Sequence, residues 1–194
     1  MSEEYTTKLR CLYDYIWGSS PSYNNNHGKE PHTIKKDNFI KDRFSSVTPL
    51  SIIDVGCGRG FYSRLLKDLG HSVIPLDISE VCLEKYVGDF EYICSDLTTY
   101  FDKLNHKYDC IFCVDVLEHL FPDQVEKVLE SFSRSCDFVF LGIATVPSYH
   151  AKKDIHYTKK PANEWSEMAS KYFTNVNISL SLGGGSFFFL EGKM

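Results

Sequence analysis

The chain has 194 residues, 43% of them hydrophobic, and a formal net charge of -5. A chain of that length can bury one full core and is short for two. It has no apolar run of about eighteen residues and starts on the acidic Met1-Ser-Glu-Glu-Tyr5, so a cytoplasmic protein without a membrane span is expected. The negative charge leaves no chain-wide footprint for nucleic acid and favours a small-molecule partner, with a local basic patch left open.

In chain order, residues 4 to 17 place Tyr5, Leu9, Leu12, Tyr13, Ile16 and Trp17 at helical spacing, and Gly18-Ser-Ser-Pro21 ends the run. Tyr23 to Pro31 is polar and turn-rich and reads as a loop; His32 to Phe44 resumes a helical pattern. Leu50 to Val55 is an apolar strand, followed by glycines at 56, 58 and 60 and a helix over Phe61 to Leu69. Alternation then continues. His71 to Leu76 closes on Asp77, Ser79 to Tyr86 is helical, Phe90 to Cys94 closes on Ser95-Asp96, and Lys107 to Val114 closes on Asp115. Pro122 starts a helix with Val125, Val128, Leu129 and Phe132 on one face, and Cys136 to Ile143 is the fifth strand. Strand and helix in alternation predict a parallel sheet. The tail departs from this rhythm: a helix over 162 to 173 precedes two strands, Thr174 to Leu182 and Ser186 to Leu190, that flank Gly183-Gly-Gly185 as a hairpin.

The seven cysteines do not suggest a metal site. Cys94, Cys110, Cys113 and Cys136 sit in or beside apolar strands as small hydrophobes. Cys110-x-x-Cys113 has no second pair to complete a zinc site, and strand residues three apart face opposite ways.

Ligands in open α/β sheets sit outside the carboxyl ends of the strands, so the residues closing each strand carry the chemistry. Glycines at 56, 58 and 60 allow a sharp turn and close approach of the backbone to a ligand, and the helix behind them begins with unpaired N-H groups that suit a carboxylate or other anion. The dinucleotide fingerprint is G-x-G-x-x-G. Here the spacing is G-x-G-x-G with Asp54 two residues before it. An acid there repels pyrophosphate and welcomes an ammonium group. Further acids, Asp77, Asp96 and Asp115, close the next three strands.

The set Asp54, Gly56, Gly58, Asp77, Asp96 and Asp115-Val-Leu-Glu-His119 resembles motifs I to IV of the class I S-adenosylmethionine-dependent methyltransferases, over roughly residues 48 to 145. The resemblance implies a three-layer α/β/α Rossmann-like fold with a seven-stranded, mostly parallel sheet, an antiparallel C-terminal hairpin and strand order 3-2-1-4-5-7-6. It implies residues 1–47 as a helical cap or lid before a methyltransferase domain over 48–194, the two making one compact domain; packing of Trp17 on the sheet is the alternative. It also implies a cofactor, S-adenosyl-L-methionine, with S-adenosyl-L-homocysteine as product. Its binding set is Asp54, Gly56, Cys57, Gly58, Gly60, Tyr62, Asp77, Ile78, Asp96, Leu97, Val114 and Asp115. Asp77 would accept the ribose hydroxyls, Asp96 the adenine amine, and the backbone of Leu97 would read the ring edge.

Methyl transfer asks for alignment and, for a hydroxyl acceptor, removal of a proton. Asp115, Glu118 and His119 after the fourth strand and His150 and His156 after the fifth are the candidates, with O-methylation of a small molecule as the expected reaction. Asp115-x-x-Glu118-His119 is also similar to the Glu-x-x-Glu-His metal cluster of small-RNA 2'-O-methyltransferases and some quinone-biosynthesis O-methyltransferases, and carboxylates with imidazole suit divalent ions. Metal-free methyltransferases share the Val-Leu-Glu-His sequence, so no metal is assigned and a divalent ion is the secondary reading. A nucleic-acid or protein acceptor and a non-catalytic partner subunit are the alternatives. An NAD-dependent oxidoreductase needs the glycine spacing that is absent.

Overall fold

Seven strands pair into one sheet in the computed structural model, which describes residues 3–19, 31–104, 106–150 and 152–194. The strands are β1 (Ser51–Val55), β2 (Ser72–Asp77), β3 (Ile93–Cys94), β4 (Tyr108–Val114) and β5 (Cys136–Ala144), then a separate ribbon of β6 (Tyr149–His150) with β7 (Lys153–Asp154), and finally β8 (Thr174–Leu182) and β9 (Phe187–Lys193). The sheet runs β3-β2-β1-β4-β5-β9-β8, which is the expected order once the ribbon is left out of the numbering. Helices α1 (Glu3–Ser19), α2 (Pro31–Ser45), α3 (Phe61–Asp68), α4 (Glu80–Tyr86), α5 (Leu97–Tyr100), α6 (Pro122–Ser135) and α7 (Ala162–Ala169) connect and cover it. The polar loop expected before Pro31 lies outside the described residues. Contacts divide the chain into two compact units, Met1–Tyr100 and Phe101–Met194.

In the first unit β1 pairs in parallel with β2, and β2 with β3. Ile52, Ile53, Val55, Leu66, Leu76 and Leu83 form a dry core, to which α1 contributes Ile16 and α2 contributes Ile40 and Phe44. His71 joins three of these elements. The Leu50 amide donates to its Nδ1 at 3.2 Å, and its Nε2-H donates to the Phe44 carbonyl at 3.1 Å. β3 is shorter than the apolar run from Phe90 suggests, because Phe90 turns back on Val87 through its amide and lies under Lys67, whose Nζ is 4.4 Å from the ring centre.

In the second unit Phe112 of β4 stacks on Phe140 of β5 at 5.3 Å, and Phe140 meets Phe189 of β9 at 4.9 Å. The expected face of α6, Val125, Val128, Leu129 and Phe132, is fully buried. Its first turn is closed by Gln124, which accepts the Phe121 amide at 2.8 Å, and by Pro122, which has no N-H to satisfy. α7 ends at Ala169, earlier than its periodicity suggests, because Tyr172 and Phe173 both turn their amides onto the Ala169 carbonyl before β8 begins. β9 is antiparallel to both β5 and β8, and the turn joining β8 to β9 puts Gly183, Gly184 and Gly185 at positive φ.

Gly142 on β5 tests this packing. A Cβ there would meet Phe189 and Val114 at 2.9 Å and Phe187 at 3.0 Å. Gly142→Ala is expected to lower the unfolding free energy by about 1 to 3 kcal/mol, read from urea unfolding; an unchanged midpoint would show that the aromatic layer yields freely.

Candidate functional site

The turn after β1 is held open by backbone conformation and shut onto β2 by hydrogen bonds. Gly56, Gly58 and Gly60 have φ of 67°, 50° and 68°, a region that L side chains enter only at a cost. The amides of Gly56 and Cys57 donate to the Leu76 carbonyl at 2.7 and 3.1 Å, and the Gly58 amide donates to Asp77 Oδ2 at 3.0 Å.

The acids closing the three strands of this unit are all buried. Asp54 accepts the hydroxyl of Ser63, on the inner face of α3, at 2.5 Å. Burial above all, with the charge of Asp77 adding to it, pushes its carboxyl up to about 7. Asp77 is raised too, chiefly by burial, although the amides of Ser79 and Gly58 pull the other way. Asp96 caps α5: the Thr98 amide and hydroxyl donate to its Oδ1 at 2.9 and 2.7 Å, while the Thr6 hydroxyl of α1 donates to Oδ2 at 2.7 Å. Ile78 and Leu97, which follow two of these acids, are half-buried. Tyr62 turns to α2, donating its hydroxyl to Asp37 at 2.9 Å. Burial drives the Cys57 thiol well above its ordinary range, so it is no nucleophile.

In the second unit Val114 is buried at the end of β4 and Asp115 follows it, exposed, at φ 57°. A 3-10 turn over Leu117–His119 then buries Glu118, whose Oε1 accepts the Ala144 amide at 3.0 Å. The chain after β7 is pinned against this turn by Thr158, which donates its amide to the Glu118 carbonyl at 3.0 Å and its hydroxyl to the Leu120 carbonyl at 2.6 Å. Asp154 shapes that segment, accepting the amides of Ser148 and His156 and pairing with Lys159 at 2.7 Å. His156 thereby meets His119 edge to face, with ring centres 4.5 Å apart.

The Nδ1 atoms of His119 and His156 lie 3.0 and 2.6 Å from the carbonyl oxygens of Ile155 and Val146, which assigns the proton to Nδ1 and the lone pair to Nε2 in each ring. Burial first, then the neighbouring imidazole, pushes His119 down to about 4; burial lowers His156 as well. Both rings are neutral at physiological pH. Ligand atoms of Glu118, His119 and His156 all lie within 4.8 Å of one another, the geometry of a cation site among the described residues. The carbonyl acceptors on Nδ1 are the kind of outer contact that orients imidazole ligands. Asp115 acts on both rings by charge and His150 sits half-buried on β6; neither belongs to that trio.

Sequence reasoning missed Ser63, Thr6, Ser79, Thr98 and Thr158, each hydrogen-bonded to a named residue, and Asp14, which holds Ser79. Only Ser79 was signalled locally, as a helix-capping serine before Glu80: its hydroxyl accepts the Cys82 amide at 3.1 Å.

Residues 52–137 match the family model described as a methyltransferase domain. The ubiquinone biosynthesis O-methyltransferase of Idiomarina loihiensis is 24% identical over 127 residues, covering 62% of this chain and 51% of that protein. The protein of that name from Nitrosomonas europaea is 26% identical over 136 residues, covering 66% and 55%. The chain thus spans about half the length of the curated relatives it matches. Among solved structures, the DhpI-SAH complex superposes with a TM-score of 0.75 at 16% identity over 98% of this chain and 97% of that one. Magnesium protoporphyrin IX methyltransferase from Synechocystis PCC 6803 with bound SAM gives 0.69 at 17% identity over 97% and 96%. These likenesses establish the fold.

The raised carboxyl of Asp54 has a measurable consequence. The folded state favours its proton, so its contribution to stability is complete below 3.8, the ordinary value, and is lost as pH rises from there through about 7. Asp54→Asn removes that loss. In thermal melts across this window the advantage of the variant over the wild type is expected to grow with pH, to at most about 4 kcal/mol for a shift of about three units; a pH-independent difference would contradict the burial argument.

Proposed function

We propose, for a chain that carries a class I S-adenosylmethionine-dependent methyltransferase domain, that it moves a methyl group from S-adenosylmethionine to a hydroxyl of a small-molecule acceptor. The observation that carries the cofactor reading is the run of buried acids closing β1, β2 and β3 around a turn of left-handed glycines. Two of them, Asp54 and Asp77, repel one another as anions and are both raised, so a cationic ligand beside them relieves a cost already built into the fold. The glycines would admit the ligand's chain, Asp77 suits a pair of ribose hydroxyls, and Asp96 suits the exocyclic amine of a base. When bound, S-adenosylmethionine supplies a methyl group already activated by a positively charged sulfur.

Within the second unit, the imidazoles suit the removal of a proton from a hydroxyl. A neutral imidazole with its lone pair on Nε2 accepts a proton from an acceptor hydroxyl, and His119 and His156 are both held in that state. Asp115 favours the imidazolium that results. The curated relatives, named as O-methyltransferases, support a hydroxyl acceptor. A second reading has its own observation: Glu118, His119 and His156 form a carboxylate-imidazole donor set that fits a divalent cation, which would orient the hydroxyl and lower its pKa.

Calorimetric titration is expected to give a signal with S-adenosylmethionine and none with NAD. Asp77→Ala is expected to weaken the former by about 1 to 3 kcal/mol, the cost of ligand hydroxyls left unpaired; tight NAD binding would sink the assignment. His119→Ala is expected to lose roughly 10² to 10⁴ in turnover while keeping cofactor affinity. A chelator separates the two readings. Activity that survives it leaves the imidazole as base, whereas activity lost and restored by a divalent ion assigns the trio to a metal.

A further inference from the structure

Helix α1 does more than pack on the first unit. Its buried apolar anchor is Ile16, but a stripe at helical spacing, Thr6, Arg10, Asp14 and Trp17, makes directed contacts to the residues that close the strands. Thr6 donates to Asp96 after β3. Asp14 accepts the Ser79 hydroxyl after β2 at 2.6 Å. Trp17 lies over the turn after β1, so close that a Cβ on Gly58 would stand 3.0 Å from its ring. Packing alone needs none of these. Between Thr6 and Asp14, the Nε of Arg10 is buried and makes no hydrogen bond, and its charge reaches Cys94, the last residue of β3.

We infer that α1 is a wall of the cofactor site, in which Thr6 is a positioning residue that sets selectivity for an adenine base through Asp96 and Arg10 offers Nε-H to an acceptor on the ligand. The inference rests on the reading of these acids as a cofactor site. Asp96 is fixed by three donors: two from Thr98 on Oδ1 and one from Thr6 on Oδ2. A carboxylate can accept about four hydrogen bonds, which leaves room for one more donor. The exocyclic amine of adenine provides such a donor; a carbonyl at the same ring position, as in hypoxanthine, meets the carboxylate as a second acceptor and is rejected. Removing Thr6 frees Oδ2 to rotate away and blunts that choice. The buried Nε-H of Arg10 is costly without a partner and becomes satisfied when a ligand acceptor meets it.

The test is calorimetric titration of the full chain with S-adenosylhomocysteine and with S-inosylhomocysteine, its hypoxanthine counterpart, for the wild type, Thr6→Val, Thr6→Ser and Arg10→Met. The wild type is expected to prefer the adenine ligand. Thr6→Val should cut that preference roughly tenfold, the worth of one hydrogen bond to a charged group, and Thr6→Ser should restore it. Arg10→Met should weaken both ligands by a similar factor while the melting temperature stays at the wild-type value. An undiminished preference in Thr6→Val, equal losses for both ligands there, or tighter binding would overturn the inference, the last by showing α1 to be an obstruction. Wild-type protein that binds neither ligand would instead bring down the cofactor reading on which the inference stands.

Discussion

The hydrogen bond from the Gly58 amide to the buried carboxylate of Asp77 is the contact on which the first unit's site depends. It fixes the turn after β1 to the end of β2, and the other oxygen of the same carboxylate holds the Ser79 amide at 2.9 Å. Ser79 in turn caps α4 and donates to Asp14 of α1. One buried acid therefore ties together a strand end, a glycine turn, a helix start and the helix that covers them. Burial makes that acid expensive to charge, and two amide donors offset only part of the cost. A site that keeps an acid in this condition is organised for a partner able to complete its solvation.

The second unit solves the opposite problem. Here two imidazoles stay uncharged because burial disfavours their charged forms, while the backbone carbonyls that accept each Nδ1-H fix the tautomer and offset part of that effect. Asp154 and Thr158 carry no chemistry of their own, yet they bend the segment after β7 until His156 faces His119. Neutral imidazoles beside a buried Glu118 serve a proton acceptor or a cation ligand equally well, which is why a chelator is the discriminating reagent.

What was legible in the sequence was whatever is written locally. The G-x-G-x-G turn and the acids closing successive strands are adjacent to their elements, and hydrophobic spacing gave the inward face of α6. Contacts between distant segments were not legible. Thr6 and Asp96 are 90 residues apart, and a threonine on a short amphipathic helix reads as ordinary surface. Ser63 reads as a polar helix residue until α3 turns it onto Asp54. The β6–β7 ribbon escaped notice because strands of two residues have no periodicity to detect. Asp115, read by its spacing with Glu118 and His119 as one cluster, occupies a left-handed backbone position ahead of the 3-10 turn, and His156 stands in the trio with Glu118 and His119.

The acids and glycines ending β1, β2 and β3 are proposed here as the cofactor site. Amide hydrogen exchange with and without S-adenosylhomocysteine tests it without reference to turnover. Slowed exchange is expected over 56–60, 77–79 and 96–98 and along α1. Binding that leaves those amides unprotected while slowing others would contradict it.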